Sequence, residues 1–522
     1  MKKYLTKIIF LWHMHQPFYK HPHQDIYLLP WVRLHATKDY YGMAKLVEKF
    51  EKVKVDINFS GVLLSQLLDY AQNNAKDKYL ILTLKNPNYL KKEEKKFIIE
   101  RFFSVNFERF IRPNPYFLKL YNKKQGKEKF TSSEIRDLQA LFNLCWFHPY
   151  LVKEDKNLKE LILKRKNYTE EDKHYIIKKQ YEAISQIFPL YKKLFLEKRI
   201  ELSITPYHHP IMPLIYDTNI LDEFPHLKKP PSPYQAASDC LWHLQKAKEI
   251  FEKIFKKIPL GSWPSEGSIS KEVVSLYQKK GFKWIATDED ILFKSLVSEY
   301  VSYEMIKKER HLIYHSYKFE EINIFFRDKN LSDAISFIYQ GWEDPVFAAN
   351  DLLGHFKRIH YYMNDFSKER VIVIAMDGEN AWEYYKNNGV EFLETIYSGL
   401  EKSSLLYTTT FSDYLRHHKS KPLENLASGS WINADFGVWI GSQKNNFYWY
   451  ILKRIKDLIE KVKDEKSQQQ LKEYLYLLEG SDWFWWNTFF DETGDFRRIF
   501  LLYVEKIYQL LNKRVPFYFY RK

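Results

Sequence analysis

Short apolar segments rich in β-branched residues alternate with helical patterns over roughly the first 400 residues of the chain, and a polar loop follows most of these segments. Runs of this length and composition are typical of strands buried on both faces. Because strands that alternate with helices usually pair in parallel, the pattern predicts an α/β fold with a parallel sheet, either open or closed into a barrel. The predicted strands are residues 5–12, 53–59, 200–205, 258–263, 283–287, 322–326 and 371–376.

Two regions depart from this alternation. Residues 87–198 are mostly helical in pattern, which is more helix than one crossover between strands requires, so we interpret them as a helical insertion. Beyond residue 418 strands become scarce, and residues 447–480 and 496–511 have helical patterns. We therefore predict one α/β domain over residues 1–417 and an α-helical domain over residues 418–522.

The net charge of +15 does not by itself indicate an anionic partner. Most of the lysines lie in helical stretches where they alternate with glutamates and apolar positions, which is typical of solvated helix faces. The sequence contains neither a basic arm nor a zinc-finger spacing, so we expect no nucleic-acid partner. Only two cysteines occur, Cys145 and Cys240, which excludes a disulfide framework and favours a reducing compartment.

The first residues, MKKYLTKIIFLWHMHQP, combine lysines with an apolar run as a signal peptide does. The run is short, contains Lys7 and lacks a small-residue cleavage site, so we interpret it as the first strand. No segment has the length of a membrane span, and we expect no membrane partner. These features favour a cytoplasmic protein, whereas the oligomeric state is not predicted.

A carboxylate follows two of the predicted strands in loops of similar build. The strand at 371–376 is followed by Asp377 and Gly378, and the strand at 258–263 leads to Glu266 and Gly267. Side chains at the carboxyl ends of parallel strands share one rim, so the two acids can face each other across a cleft. One ionised and one protonated carboxyl group beside a sugar can cleave a glycosidic bond. The alternative is that each acid caps a helix or binds backbone amides.

Tryptophans accompany both acids. Aromatic residues make up 17% of the chain, and Trp263 and Trp382 lie within a few positions of Glu266 and Asp377. Aromatic rings can stack on the flat faces of sugars, so we predict that both tryptophans bind substrate. Packing in the core is the alternative for each.

His13 and His15 follow the first predicted strand at its carboxyl end. Residues two apart in a strand share a face, so both imidazoles point the same way. Such a pair can bind a metal ion, bind sugar hydroxyls, position Glu266 or simply pack. No further cluster in the sequence completes a metal site, so we predict substrate binding or positioning of Glu266 and no metal.

Several long motifs resemble the conserved regions of glycoside hydrolase family 57, particularly its α-amylase and amylopullulanase-like branch. They occur in the expected order and span nearly the whole chain, so a chance match is excluded. The motifs are HMHQPFY at 13–19, TPYHHPIMPL at 205–214, WPSEGSIS at 263–270, WIATDEDIL at 284–292, FFRDKNLSDAISF at 325–337, MDGENAWE at 376–383, GSWINADFGVWIG at 429–441 and GSDWFWW at 480–486.

The resemblance implies a retaining enzyme that acts on α-glucans, with a parallel (β/α)7 barrel followed by an α-helical domain that contributes to the substrate cleft. By position, Glu266 matches the family nucleophile and Asp377 matches the general acid/base. His209, Trp431 and Asp482 match residues that bind sugar. The resemblance implies no cofactor.

Some positions stay open. His208 stands where relatives have tyrosine, and residues 487–496, NTFFDETGDF, depart from the family pattern, which leaves the preferred chain length open. Asp288 and Glu289 can bind sugar or brace the cleft. Asp328 and Asp333 are predicted to be helix caps.

We therefore expect a retaining glycoside hydrolase or 4-α-glucanotransferase that acts by double displacement on an oligo- or polysaccharide such as glycogen, starch or maltodextrin. Two alternatives remain: an α-galactosidase-like enzyme of the same family, and a catalytically silent glucan-binding regulatory protein. The presence of both Glu266 and Asp377 favours an active enzyme.

Overall fold

A computed structural model describes residues 5–379, 381–489 and 491–520. The fold is a parallel (β/α)7 barrel, as the family resemblance implies, and short additional strands flank the barrel. The barrel strands are β1 (Thr6–Met14), β2 (Val55–Ser60), β3 (Ile200–Thr205), β4 (Gly261–Ser262), β5 (Trp284–Asp288), β7 (Ile322–Arg327) and β8 (Val371–Asp377); the additional strands are β6 (Tyr317–Phe319), β9 (Leu406–Thr408) and β10 (Lys421–Pro422).

The barrel strands belong to two separately hydrogen-bonded sheets. One has the order β3-β2-β1-β8, and the other includes β7-β5-β4. At the junction of β3 and β4, Ser262 Oγ donates to Ile204 O at 2.6 Å and Thr205 Oγ1 donates to Trp263 O at 2.6 Å. At the junction of β7 and β8, Asp328 N donates to Val373 O at 2.8 Å. Side chains and one main-chain bond therefore join the two sheets.

Successive side chains of β1 point alternately to the surrounding helices and to the interior of the barrel. Phe10 and Trp12 pack outward against the helices, whereas Ile9 and Leu11 pack inside the barrel with Trp263 and other interior residues. His13 and His15 continue the inward face at the carboxyl end of the strand, because successive strand side chains alternate. The strand thus delivers both histidines to the mouth of the barrel.

Helices surround the barrel and continue beyond it. Between β1 and β3 they are α1 (Trp31–His35), α2 (Tyr41–Glu48), α3 (Gly61–Asn73), α4 (Lys78–Leu84), α5 (Lys92–Arg101), α6 (Pro115–Gln125), α7 (Ser132–Leu144), α8 (Pro149–Glu154), α9 (Lys156–Lys164) and α10 (Glu170–Leu196). Between β3 and β10 they are α11 (Met212–Tyr216), α12 (Ala237–Phe255), α13 (Lys271–Lys279), α14 (Glu289–Ser295), α15 (Tyr303–Ile306), α16 (Lys329–Asp333), α17 (Pro345–Tyr362), α18 (Val390–Glu401) and α19 (Phe411–His417). After β10 follow α20 (Gln443–Ile459), α21 (Glu465–Leu478), α22 (Ser481–Thr488) and α23 (Asp495–Leu510).

Local capping explains several helix starts. Thr169 accepts a hydrogen bond from Asp172 N, and Asp172 accepts one from Thr169 N, which forms a capping box at the start of α10. Asp328 caps α16 by accepting from Leu331 N, as predicted. Asp333 makes no side-chain capping bond, contrary to the prediction; its carboxylate pairs with Arg327 at 3.1 Å instead. Among the described residues, no helix combines the length and apolar composition that crossing a bilayer requires.

Polar side chains line the inward faces of β2 and β3, where the sequence pattern suggested only apolar strands. Asp56 lies directly opposite Glu201 in the parallel register, and both are buried. Glu201 accepts hydrogen bonds from Trp284 Nε1 and from the Ser412 amide and hydroxyl. Burial, and then the facing negative charge of Glu201, raises the pKa of Asp56 well above its ordinary value. The folded chain therefore holds a proton on Asp56.

Asp56→Asn is expected to stabilise the protein increasingly as the pH rises. The unfolded chain releases the Asp56 proton above pH ~4, so retaining it costs the folded state about 1.4 kcal/mol per pH unit up to the raised pKa. Asparagine keeps a donor for Glu201 without a titrating proton. Urea unfolding at pH 5 and pH 8 measures the effect, and exposed Asp365→Asn is the control. An equal stability change at both pH values would contradict this account.

Candidate active site

Glu266 lies in a tight turn directly after β4. Its backbone has φ 56°, a left-handed conformation that is uncommon for a residue with a side chain. Neighbouring elements hold the turn: Thr287 Oγ1 donates to Gly267 O at 2.6 Å, and Trp431 N donates to Glu266 O at 2.9 Å. Backbone conformations of this kind persist when their surroundings fix them, and they cluster at functional sites.

Trp431 also binds the Glu266 side chain. Its indole Nε1 donates to Glu266 Oε2 at 2.8 Å. The ring is fixed by edge-to-face contact with Trp263 at a centroid separation of 5.4 Å, and the Arg327 guanidinium lies 4.9 Å from it. The hydrogen bond favours the ionised form of Glu266, because a carboxylate accepts such a bond more strongly than a neutral acid does.

Glu266 nevertheless has a pKa raised to about 8. Burial is the largest cause, and the negative charges of Asp377 and Asp482 follow; the bond from Trp431 acts in the opposite direction. Both acids therefore lie close enough to Glu266 to act on its charge. In the free protein at neutral pH, Glu266 therefore keeps its proton.

Asp377 is the last residue of β8 and lies opposite His13 in the register of β1. The turn after it is tightly packed: a Cβ at Gly378 would come within 2.7 Å of Met14 Sδ. Trp382 Nε1 donates to Gly378 O at 2.9 Å, which fixes the loop that follows Asp377. Asn380, which belongs to the same motif, lies outside the described residues.

Three imidazoles stack at the mouth of the barrel. The rings of His15 and His209 are 3.9 Å apart with 12° between their planes, and His13 lies 5.1 Å from His209. His13 Nδ1 pairs with Asn58 Oδ1 at 2.7 Å, and its Nε2 pairs with His209 Nε2 at 3.1 Å. Burial, and then the neighbouring His15, lowers the pKa of His13 to about 3, and burial lowers the pKa of His209 well below its ordinary value. Both rings are therefore neutral at physiological pH.

The start of α22 brings Asp482 to these histidines. His15 Nε2 donates to the Asp482 carboxylate at 3.0 Å, and His15 Nδ1 pairs with Ser60 Oγ at 2.7 Å. Ser481 secures the contact, since its amide donates to His209 O at 3.0 Å and its hydroxyl pairs with His209 Nδ1 at 2.8 Å. The helices after β10 thus complete one wall of the site.

His15, His209 and Asp482 could also hold a metal ion. One ligand atom from each lies within 4.8 Å of the others, and two imidazoles with a carboxylate suit zinc. The same nitrogens already make hydrogen bonds: His209 binds His13 and Ser481, and His15 binds Ser60 and Asp482. This bonded arrangement equally suits sugar hydroxyls, which exchange hydrogen bonds with neutral imidazoles and carboxylates.

The structure gathers most of the predicted site residues at the carboxyl end of the barrel: Glu266, Asp377, His13, His15, His209, Trp431 and Asp482. Trp263 and Trp382 are close by but only 1% exposed. Their faces are packed, so they support Trp431 and the Asp377 loop and offer no surface for stacking on sugar.

Other candidates lie away from these groups. His208 is oriented parallel to the Trp242 ring, 6.1 Å away, outside the imidazole stack. Asp288 pairs with Arg327 at 2.7 Å, and Glu289 pairs with Arg310. Both acids therefore brace the segment that follows β5 against arginines of neighbouring segments.

Three supporting residues have no role predicted from the sequence, although Glu379 belongs to the loop after Asp377. Glu379 is buried and accepts from Gln16 Nε2 at 2.9 Å and from the His15 amide. Asn58 fixes His13, and Arg327 covers Trp431. The sequence contained a clue to each of them. Glu379 comes two residues after Asp377, Asn58 is at a position of β2 whose side chain faces the barrel interior, and Arg327 is at the end of β7.

Comparisons with known proteins agree with this architecture. The model of glycosyl hydrolase family 57 matches residues 9–427. The branching enzyme of Pyrococcus horikoshii is similar in structure with a TM-score of 0.63 at 16% identity, over 97% of this chain and 89% of that one. The α-amylase AmyC of Thermotoga maritima gives 0.63 at 14% identity, over 97% and 93%. The 4-α-glucanotransferase of Thermococcus litoralis gives 0.53 at 14% identity, over 97% and 60%.

At such identities the structural likeness shows a shared fold, whereas the family model covers most of the sequence itself. A search of curated proteins gives no significant match. The motifs, the barrel and the matched residues therefore have one explanation: the chain belongs to glycosyl hydrolase family 57 and is a glycoside hydrolase or transferase.

Proposed function

We propose that the protein cleaves α-glucans with retention of anomeric configuration, with Glu266 as the nucleophile and Asp377 as the general acid/base. The observation that carries this proposal is that Glu266 and Asp377 follow two barrel strands at the same mouth, where the Trp431 indole N–H binds Glu266. Names of the structural neighbours, which include a branching enzyme, an amylase and a 4-α-glucanotransferase, support a glucan as substrate.

The first step needs one proton on the acid pair. Glu266 attacks the anomeric carbon while Asp377 protonates the departing glycosidic oxygen, so a glycosyl ester forms as the C–O bond breaks. The proton must therefore lie on Asp377 in the substrate complex. The N–H of Trp431 stabilises the resulting charge on Glu266.

The second step reverses these roles. Asp377 removes a proton from an incoming hydroxyl, which attacks the anomeric carbon and releases Glu266. Water gives hydrolysis, and a sugar hydroxyl gives transfer. His13, His15, His209 and Asp482 are placed to bind the hydroxyls of the sugar that is being transferred.

Maltoheptaose, pullulan and a galactoside distinguish the open specificities when the products are resolved by chain length. We expect reducing ends from maltoheptaose, and products longer than seven units if transfer dominates. Cleavage of the galactoside alone would favour the α-galactosidase alternative. Glucan binding without any product would favour the silent regulatory protein.

Trp431→Phe is expected to lower kcat/KM by roughly tenfold to hundredfold, because the ionised nucleophile loses its donor. In the wild type, kcat/KM should fall as the pH rises through about 8, where the free acid pair loses its last proton. Without the N–H bond the pKa of Glu266 rises, so the alkaline limb should move to higher pH. A pH–rate profile measures both effects, and an unmoved limb would contradict this role of Trp431.

A further inference from the structure

A cavity of about 830 Å³ lies between the insertion helices and the loop that follows β8. Its apolar lining includes Phe117, Leu144, Phe147, Tyr168 and Tyr385, all buried. None of the candidate catalytic carboxylates or stacked histidines lines it. A cavity of this size accommodates a small organic molecule, and its wall is apolar enough to hold one.

Lys38 is the unusual residue of this cavity. It belongs to a turn of π-helix (Ala36–Tyr40), and only 2% of its surface is exposed. Its ammonium lies 4.7 Å from the ring centroid of Trp146 and 6.0 Å from that of Phe110. Within the described part of the chain it has neither a hydrogen-bond acceptor nor an ion-pair partner, and the adjacent Asp39 is bound to His35 at 2.7 Å. A buried cation that contacts aromatic rings and has no bonded anion is costly unless an anion joins it.

The rest of the lining adds positive charge. Five further cations line the cavity, against two acids, Glu108 and Glu383. Glu108 forms an ion pair at 2.8 Å with Arg112, a residue that does not line the cavity. Within the described residues none of the five pairs with a carboxylate. Arg109 donates to the Tyr384 and Gln340 carbonyls at 2.8 and 3.3 Å, and the other four are exposed at the rim. The five cations are Arg109, Lys153, Lys159, Arg165 and Lys386.

We propose that this cavity binds an organic phosphate with an apolar body. The phosphate would meet Lys38 and the surrounding cations, which offer charge-assisted hydrogen bonds, and the body would lie on the aromatic and aliphatic wall. Uncharged glucans do not need such a concentration of cations, so this site differs in chemistry from the barrel mouth. Nucleotides and alkyl phosphates share the required chemistry. The proposal does not depend on the catalytic roles assigned above.

Calorimetric titration of the full chain with ADP and with dodecyl phosphate tests the proposal. We expect at least one to bind with a Kd below about 100 μM, a range ordinary for small organic ligands. Adenosine, dodecanol and inorganic phosphate each lack one half of the ligand and should bind at least tenfold more weakly. Binding of ADP alone would identify an aromatic body, and binding of dodecyl phosphate alone an alkyl body; either supports the site.

Lys38→Met removes the charge and keeps the length of the side chain, and it should weaken binding at least tenfold. Lys461→Met, on an exposed lysine outside the cavity, is the matched control and should leave binding unchanged. If Lys38→Met lowers the melting temperature too far for titration, the double rim variant Lys153→Met/Arg165→Met replaces it. The proposal is overturned if neither phosphate binds at millimolar concentration, or if binding survives these substitutions unchanged.

Discussion

Glu266→Gln is expected to reduce glucan cleavage at least several hundredfold while the protein stays folded. The amide cannot attack the anomeric carbon, and it replaces the carboxylate that accepts the Trp431 N–H bond. The loss corresponds to about 3.5 kcal/mol of transition-state stabilisation, since each tenfold is about 1.4 kcal/mol. Initial rates on maltoheptaose measure the effect, and Glu272→Gln, on an exposed position of α13, is the matched control.

A second observation separates the nucleophile from other roles. Substrates with a very good leaving group, such as a glycosyl fluoride, should not rescue Glu266→Gln, because the missing step is attack on carbon rather than protonation of oxygen. Near-normal cleavage by the variant, or rescue by such a substrate, would remove Glu266 from the nucleophile position.

Asp377→Asn is expected to lower cleavage of ordinary glucans by a similar factor. Asparagine neither protonates the leaving oxygen nor activates the incoming hydroxyl, so both steps slow. A glycosyl fluoride needs no protonation, so its first step should recover while hydrolysis of the ester stays slow. A rapid burst of fluoride followed by a slow phase measures this split.

Addition of azide provides a control for the Asp377→Asn variant. Added azide needs no general base and should restore turnover of Asp377→Asn by accepting the glycosyl group, whereas it should not accelerate Asp365→Asn, a substitution at an exposed aspartate. Equal losses on the fluoride and on maltoheptaose, without azide rescue, would indicate that Asp377 positions the loop and transfers no proton.

The strand–helix alternation and the rim that carries the acids follow from local sequence pattern, whereas closure into a (β/α)7 barrel is implied only by the family resemblance. The apolar run before Asp377 forms β8. His13 and His15 are two residues apart, so both side chains lie on the inward face of β1 and reach the mouth of the barrel. The assignment of Glu266 and Asp377 to catalysis remains a proposal that the geometry supports.

Other features depend on long-range packing that no local pattern records. Trp263 and Trp382 lie beside the acids in sequence, yet each ring is buried by elements far along the chain, such as the loop that carries Trp431. The pairing of Asp56 with Glu201 arises only when β2 and β3 adopt their register. Strand β4 has two residues in place of the six predicted, because side-chain hydrogen bonds replace its ladder to β3.

The division of the barrel into two sheets has a consequence for tuning the reaction. Glu266 follows a strand of one sheet and Asp377 ends a strand of the other, so no continuous ladder fixes the gap between them. Interior side chains such as Phe325 and Trp284 pack between the two sheets and thereby act as spacers. Altering the bulk of these spacers would let the barrel widen or narrow across its junctions. Evolution or engineering could thereby adjust the choice of acceptor without touching any group that meets the sugar.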